Sequence, residues 1–330
     1  KRLLSNREIG CFLSGGFDSS IITSIVSRKI QNVHTFSIGL KGYHSPDLEA
    51  AEVVAKYLNT THHRVEFTIE EGINALEDVI YSLESYDVTT IRASTPQYLL
   101  SKYVKENTDV TVVLSGEGAD EICGYQYLKN APNEDEFIKE TDKMIKDLYQ
   151  FDVLRTDRTT TRWSLEVRVP FLDKSFIQFM MSINPSFKMC KNVIEKKIFR
   201  DAFADNSYLP DEILWRNKNA FSDAVSYSWV DQLKEHINKE VSDLEYNTER
   251  LKYTHNMPYD KESYYYRKIF EQKFPNRGSF IEHYWKPNQE WFDKEIKDPS
   301  ARVLSCFDDG KDYSNIELDN CGLNNDTLNK

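Results

Sequence analysis

The sequence predicts an α/β fold: a parallel sheet with helices on both faces, followed by a mainly helical portion packed on it. Three observations lead there. Over about the first 125 residues, short β-branched apolar runs alternate with segments of helical period, the pattern of a sheet sandwiched by helices. Val110-Thr-Val-Val-Leu114 is nearly continuous in apolar character, as a strand buried on both faces requires. From about residue 133 the strand-like runs give way to apolar residues at helical spacing.

In chain order, strands are expected at Gly10–Leu13, Val33–Ile38, His62–Phe67 and Val110–Leu114, and helices at Ser19–Lys29, Asp47–Leu58, Glu70–Ser85 and Pro96–Glu106. Pro46 stands one residue before the second helix, a common start signal. Ser94 and Thr95 ahead of Pro96 read as a helix start. Further on, Phe137, Ile138, Met144, Ile145, Leu148 and Phe151 form a helical core stripe, and helices are expected at Lys174–Ser182, Glu195–Phe203 and Ser228–Glu240. The organisation is thus a sheet part at about 1–128, a helical part at about 129–303, and a polar, weakly periodic tail at 304–330.

Bulk properties narrow the function. A length of 330 residues and 40% apolar content suffice for a core. The net charge of −11 argues against a nucleic-acid or anionic-membrane partner. No run is long and apolar enough to span a bilayer. The start, Lys1-Arg-Leu-Leu-Ser-Asn-Arg-Glu8, has neither an initiator Met nor the apolar region of a signal peptide, so the chain is expected to be a piece that begins just before the first strand. The five cysteines (Cys11, Cys123, Cys190, Cys306, Cys321) are scattered without metal spacing. Reduced thiols in a cytoplasmic protein fit them, with Cys11 and Cys123 read as small packing residues.

Two loops share one grammar: Ser14-Gly-Gly-Phe-Asp-Ser-Ser20 and Ser115-Gly-Glu-Gly-Ala-Asp-Glu121. Each follows an apolar run and opens a helix. Strand, small-residue loop and helix N-terminus together offer free N–H groups and a positive dipole end to a phosphate. An acid in such a loop repels phosphate unless a cation intervenes, so Asp18 and Asp120 suggest a shared Mg²⁺ on a polyphosphate. Neither loop contains the Gly-Lys-Ser/Thr of a Walker loop or a Gly-x-Gly-x-x-Gly fingerprint. Glu117 is either a carboxylate at a reacting centre or a helix-start acid facing the dipole.

Other polar segments carry alternatives. In Glu166-Val-Arg168-Val-Pro170-Phe-Leu-Asp173 the reading is a turn ended by Pro170, with Asp173 capping the next helix; Arg168 is structural or neutralises a phosphate. Lys196 and Lys197 are solvated helix residues, or one of them reaches the α-phosphate, where it would stabilise charge developing on the leaving group. Arg92 is suited to clamp a carboxylate. His62 and His63 point to opposite faces of a strand and make no metal site, and His34 is structural.

The stretches Ser14–Ser20, Thr35–Leu40, Ser45–Ala51, Tyr86–Pro96, Val113–Glu121, Arg168–Asp173, Phe221–Asp223 and Tyr227–Trp229 together resemble the synthetase domain of glutamine-dependent asparagine synthetases, within the PP-loop (N-type ATP pyrophosphatase) superfamily, from about residue 8 to about 303. The resemblance implies an adenine nucleotide alpha hydrolase-like fold. It implies that aspartate and MgATP give β-aspartyl-AMP and pyrophosphate, and that ammonia then gives asparagine and AMP. It assigns glutamine hydrolysis to an N-terminal glutaminase domain expected to lie outside these residues, and a homodimer is compatible with it. Carried over by position, the resemblance puts adenine and ribose near Leu13 and Ile38. It puts the phosphates at Ser14, Gly15, Gly16, Ser19, Ser115 and Gly116, with Asp18 and Ser20 also in the ATP site, and the metal at Asp18 and Asp120. Glu117 takes the catalytic carboxylate position, Lys196 the lysine at the leaving phosphate, and Thr90 and Arg92 the aspartate contacts. Related amide- or lactam-forming synthetases and a catalytically impaired ATP-binding homologue are the alternatives. Two departures adjoin the expected site: one glycine rather than two in Ile122-Cys-Gly-Tyr125, and a segment one residue short at Cys190-Lys-Asn-Val193.

Overall fold

The computed structural model describes residues 1–189, 194–205, 207–217, 227–292 and 296. Cys190–Val193, Phe221–Asp223, Cys306, Cys321 and the tail at 304–330 lie outside the described residues. The strands are β1 (Ile9–Phe12), β2 (His34–Leu40), β3 (Thr61–Phe67), β4 (Val112–Leu114) and β5 (Glu166–Arg168). They form one sheet in the order β3-β2-β1-β4-β5, and every pair is parallel. The helices are α1 (Phe17–Ser27), α2 (Pro46–Leu58), α3 (Ile69–Leu83), α4 (Val88–Asn107), α5 (Ala119–Cys123), α6 (Glu134–Asp147), α7 (Asp152–Thr161), α8 (Lys174–Ser182), α9 (Pro185–Lys188), α10 (Lys197–Ala204), α11 (Asp211–Leu214), α12 (Tyr227–Glu240), α13 (Asp243–Glu249) and α14 (Lys261–Lys273).

Alternation along the strands sorts the core into two layers. Phe36, Ile38, Leu40 and Val113 face a layer completed by residues of α3, α4, α12 and α14. Ile9, Cys11, Val112 and Leu114 face the other, completed by α1, α2 and α11. Apolar surface buried in each layer contributes about 25 cal/mol per Å² to holding its helices. Local chemistry sets the helix starts. Ser45 accepts from Leu48 N ahead of Pro46 at the start of α2, and Thr68 and Glu71 make a reciprocal capping box at α3.

Four of these elements depart from expectation. Helix α4 begins at Val88, not Pro96: its cap is Asp87, which accepts from Thr90 N, and Pro96 lies inside the helix. Pro96 has no N–H to give the Arg92 carbonyl; the Trp229 indole N–H donates to that carbonyl instead, at 3.1 Å. The sheet takes a fifth strand at Glu166–Arg168, beyond the stretch expected to carry it. With charges flanking a single Val167, this short edge strand has no strand signal in its composition. Finally, β2 runs on to Leu40, paired with Phe67 of β3, while β4 starts at Val112.

The smaller side readings resolve as follows. Pro170 opens a 3₁₀ turn and Asp173 caps α8 by accepting from Ser175 N. Arg168 donates to Glu166 and to the carbonyls of Arg2 and Leu4, tying down the N-terminal segment. His62 meets Thr35 and Ser37, whereas His63 meets His34 on the opposite face. Burial pushes the Cys11 and Cys123 thiols up to about 12, so both are neutral packing groups, not nucleophiles.

Candidate active site

Beta-1 and β4 are neighbours in register, with Cys11 opposite Leu114, so the loops that leave them emerge side by side at the carboxyl edge of the sheet. This is where open parallel sheets bind ligands. The approach is close. A Cβ on Gly116 would lie 2.8 Å from the Ser19 nitrogen and 2.9 Å from the Asp18 carbonyl carbon, so only glycine lets the second loop lie on the first turn of α1. Gly15 has φ +74°, and a Cβ there would meet the Ala51 nitrogen at 2.5 Å. Gly15→Ala is therefore expected to cost about 2–5 kcal/mol, adding a left-handed penalty to overpacking against α2. A urea midpoint equal to that of the unsubstituted chain would contradict this packing role.

Above the two loops opens a cavity of about 220 Å³. Of the residues singled out from sequence, Leu13, Ser14, Gly16, Asp18, Ser19, Ile38, Thr90, Arg92, Ser115, Gly116, Glu117 and Asp120 line it. Gly15 and Ser20 stand behind the wall: Gly15 packs on α2, and Ser20 is fully buried with an unpartnered hydroxyl. The cap of α1 is Gly16, which provides no side-chain hydrogen bond to the first turn. That end of the helix presents N–H groups and the positive end of its dipole. Ser14 and Ser19 hydroxyls are 3.0 Å apart, and the Ser14 N–H donates to Ser19 Oγ, which fixes the loop's shape.

Lys196 joins the two acids. Its Nζ donates to Asp18 Oδ1 and Oδ2 at 2.7 and 2.6 Å and to Asp120 Oδ1 at 2.6 Å. The side chain is 1% exposed, against 9% for Asp18 and 22% for Asp120. Its backbone caps α10 in the left-handed region, φ 59°, a conformation that costs a non-glycine residue about 1–2 kcal/mol and that packing must hold. Lys197 turns away, to Asp201 and the face of Trp215. Of the two lysines, Lys196 is the one in the site.

The two carboxylates converge on a single cation. Hard oxygen donors in that arrangement suit Mg²⁺, which is usually held by one or two carboxylates together with substrate phosphates rather than by an all-protein cage. Among the described residues, no set of three or more His, Cys, Asp or Glu side chains is placed to hold a metal. Asp18 and Asp120 could hold such a metal together with polyphosphate oxygens.

Across the cavity, Glu117 Oε2 accepts from Arg155 Nη2 at 2.9 Å, and the same nitrogen donates to Asp152 Oδ1 at 2.6 Å. Glu121 lines the wall beside them. Burial first, then the nearby Asp152, Asp120 and Glu117, pushes its carboxyl well above the usual carboxylate range. Arg155, Asp152 and Glu121 were not singled out from sequence. Glu121 is adjacent to Asp120 and could have been flagged; Arg155 has no local signal.

Thr90 and Arg92 line the cavity, but both have structural engagements. The Thr90 hydroxyl donates to Asp87 at 2.7 Å. The Nε and Nη2 of Arg92 are clamped by the two oxygens of Glu262 at 2.7 and 2.6 Å, with both side chains nearly fully buried. A carboxylate is indeed the partner of this guanidinium, but it comes from α14.

Known proteins resemble this chain in sequence. The family model for asparagine synthase matches residues 1–142 and 129–294. Asparagine synthetase [glutamine-hydrolyzing] of Gallus gallus is 47% identical over 317 residues, that of Mus musculus 45% and that of Homo sapiens 44%. Each match covers 93% of this chain and 55% of the relative. The chain thus spans little more than half the length of the curated relatives it matches. The family model spans both glycine loops and the segments that carry Arg155, Lys196 and Glu262: the chain belongs to the asparagine synthase family.

Proposed function

We propose that this chain forms asparagine from aspartate, ATP and ammonia, with aspartate first adenylated to β-aspartyl-AMP and pyrophosphate released. The observation that carries the reading is the convergence of Asp18, Asp120 and Lys196 beside two glycine loops. Lys196, and a Mg²⁺ held by the two acids, would supply the positive charge needed to hold a leaving pyrophosphate. The adenosine end would lie against Leu13 and Ile38, and the phosphates against the N–H groups and hydroxyls of Ser14, Gly16, Ser19, Ser115 and Gly116. Gly15 shapes that loop, and Ser20 supports it from within α1. Bound with ATP at Asp18 and Asp120, Mg²⁺ would supply neutralisation of the polyphosphate. Lys196 would stay at the same acids and face the departing oxygens. Glu117, on the far wall, would meet the activated carbonyl and take a proton from the incoming amine. Thr90 and Arg92 would shape the aspartate end, Arg92 through its clamp with Glu262. In this reading residues 1–303 act as one synthetase unit. In relatives whose name includes glutamine hydrolysis, a glutaminase portion would deliver the ammonia.

A cytoplasmic setting agrees with the free thiols of Cys11 and Cys123. Among the described residues, no helix is long and apolar enough to cross a membrane.

The test is product identity. With ATP, aspartate, Mg²⁺ and ammonium chloride, mass detection should find AMP, pyrophosphate and asparagine in equal amounts. Release of ADP and phosphate, or AMP formation independent of aspartate, would overturn the proposal.

A further inference from the structure

We propose that Arg155 is a positioning residue for this reaction: anchored on Asp152, it holds the Glu117 carboxylate in the orientation that meets the bound intermediate. The inference rests on the reading of Glu117 given above and adds a residue to it.

The geometry is specific. Glu117 belongs to a loop that ends in the five-residue helix α5, and its own N–H is held by Ser115 Oγ at 3.3 Å. That bond sets the backbone and leaves the carboxylate to its surroundings, which are acidic: Asp120, Glu121 and Asp152 all bear on this corner of the cavity. Without a cation, mutual repulsion would swing Glu117 toward solvent. Arg155 supplies that cation from a rigid base. It is 6% exposed. It lies on α7, which packs against α4, α3 and β5, and its backbone N–H donates to Phe151 O at 2.8 Å. One nitrogen, Nη2, is shared between Glu117 and Asp152. Asp152, on the first turn of the same helix, thereby fixes the guanidinium, and the guanidinium fixes Glu117. A planar guanidinium transmits direction as well as charge, which an ammonium cannot do.

The experiment compares Arg155→Met, Arg155→Lys and Asp152→Asn in ammonium-dependent asparagine formation, with thermal melts alongside. Arg155→Met should lower kcat about 100-fold, the scale of a 1 Å misplacement of a catalytic group, with KM for ATP within about threefold. Arg155→Lys keeps the charge but not the fork, and should lower kcat about tenfold. Asp152→Asn should lower it about fivefold, because Arg155 loses its anchor but keeps Glu117. The same substitutions are then made on Glu117→Asp, whose shortened carboxylate no longer reaches the guanidinium. There the further loss should shrink to about threefold or less, since coupled residues are not additive. Equal losses on both backgrounds would show a merely structural role and overturn the inference. A kcat within about twofold of the unsubstituted chain for Arg155→Lys would also overturn it, and decides the matter if Arg155→Met does not fold. Full activity of Glu117→Gln would instead overturn the reading of the site itself. Loss in Glu117→Gln with none in the Arg155 variants would leave that reading standing without this inference.

Discussion

Glu117→Gln is expected to lower asparagine formation by about two to four orders of magnitude, the usual range for removing a general acid or base, while leaving ATP binding and thermal stability near those of the unsubstituted chain. The side chain lines the cavity and is 22% exposed. A glutamine of the same shape can still accept from Arg155 Nη2, and Arg155 keeps Asp152. The substitution also removes one negative charge from a corner shared with Asp120, Glu121 and Asp152, which offsets part of the lost ion pair. A helix-start acid would behave differently: its removal costs about 0.3–1 kcal/mol of stability and no rate. Aspartate-dependent exchange of pyrophosphate into ATP places the loss. Exchange retained with asparagine lost puts Glu117 after adenylation; both lost puts it before. Full asparagine synthesis by Glu117→Gln, or loss of the folded state, would remove the catalytic assignment.

Much of the site was legible because it is written contiguously. Strand, glycines and helix start occur within a few residues in both Ser14–Ser20 and Ser115–Glu121. That the strands run parallel follows from the alternation of strands and helices; that β1 lies beside β4 is seen only in the structure. What the sequence hides is pairing at long range. Arg92 reads as a carboxylate clamp, and it is one, but its carboxylate is Glu262, 170 residues away. Arg155 shares a polar helix with Arg158, and nothing local separates the two. Arg155 is buried because α7 turns that face onto α4, whereas Arg158 remains 40% exposed. The start of α4 was misplaced because Pro96 is normally a boundary residue. Here the carbonyl it strands is satisfied by Trp229 from another helix, a compensation that only tertiary structure reveals. The choice between Lys196 and Lys197 also could not be settled locally. It depends on the left-handed turn at Lys196, which directs the two side chains to different acids.

That choice leads to the second large effect. Lys196→Met should depress asparagine formation by about two to three orders of magnitude, the scale of losing one electrostatic stabiliser at a reacting centre; Lys197→Met should change it little, because that ammonium is spent on Asp201. The Met variant should also reveal what the ammonium does before substrate arrives. Asp18 and Asp120 both accept from it, and removing one partner of a buried ion pair costs about 3–5 kcal/mol. Because Asp120 is partly open to solvent, the expected loss lies near the lower end, about 3 kcal/mol. Two unbalanced carboxylates then make a stronger cation site, so Mg²⁺ should raise the melting temperature of Lys196→Met more than that of the unsubstituted chain, with the gain following the ligand-linkage relation as Mg²⁺ is titrated. If Lys196→Met melts and turns over like the unsubstituted chain, or if Mg²⁺ stabilises both equally, then Asp18 and Asp120 do not form one cation site, and the convergence at Lys196 is packing rather than chemistry.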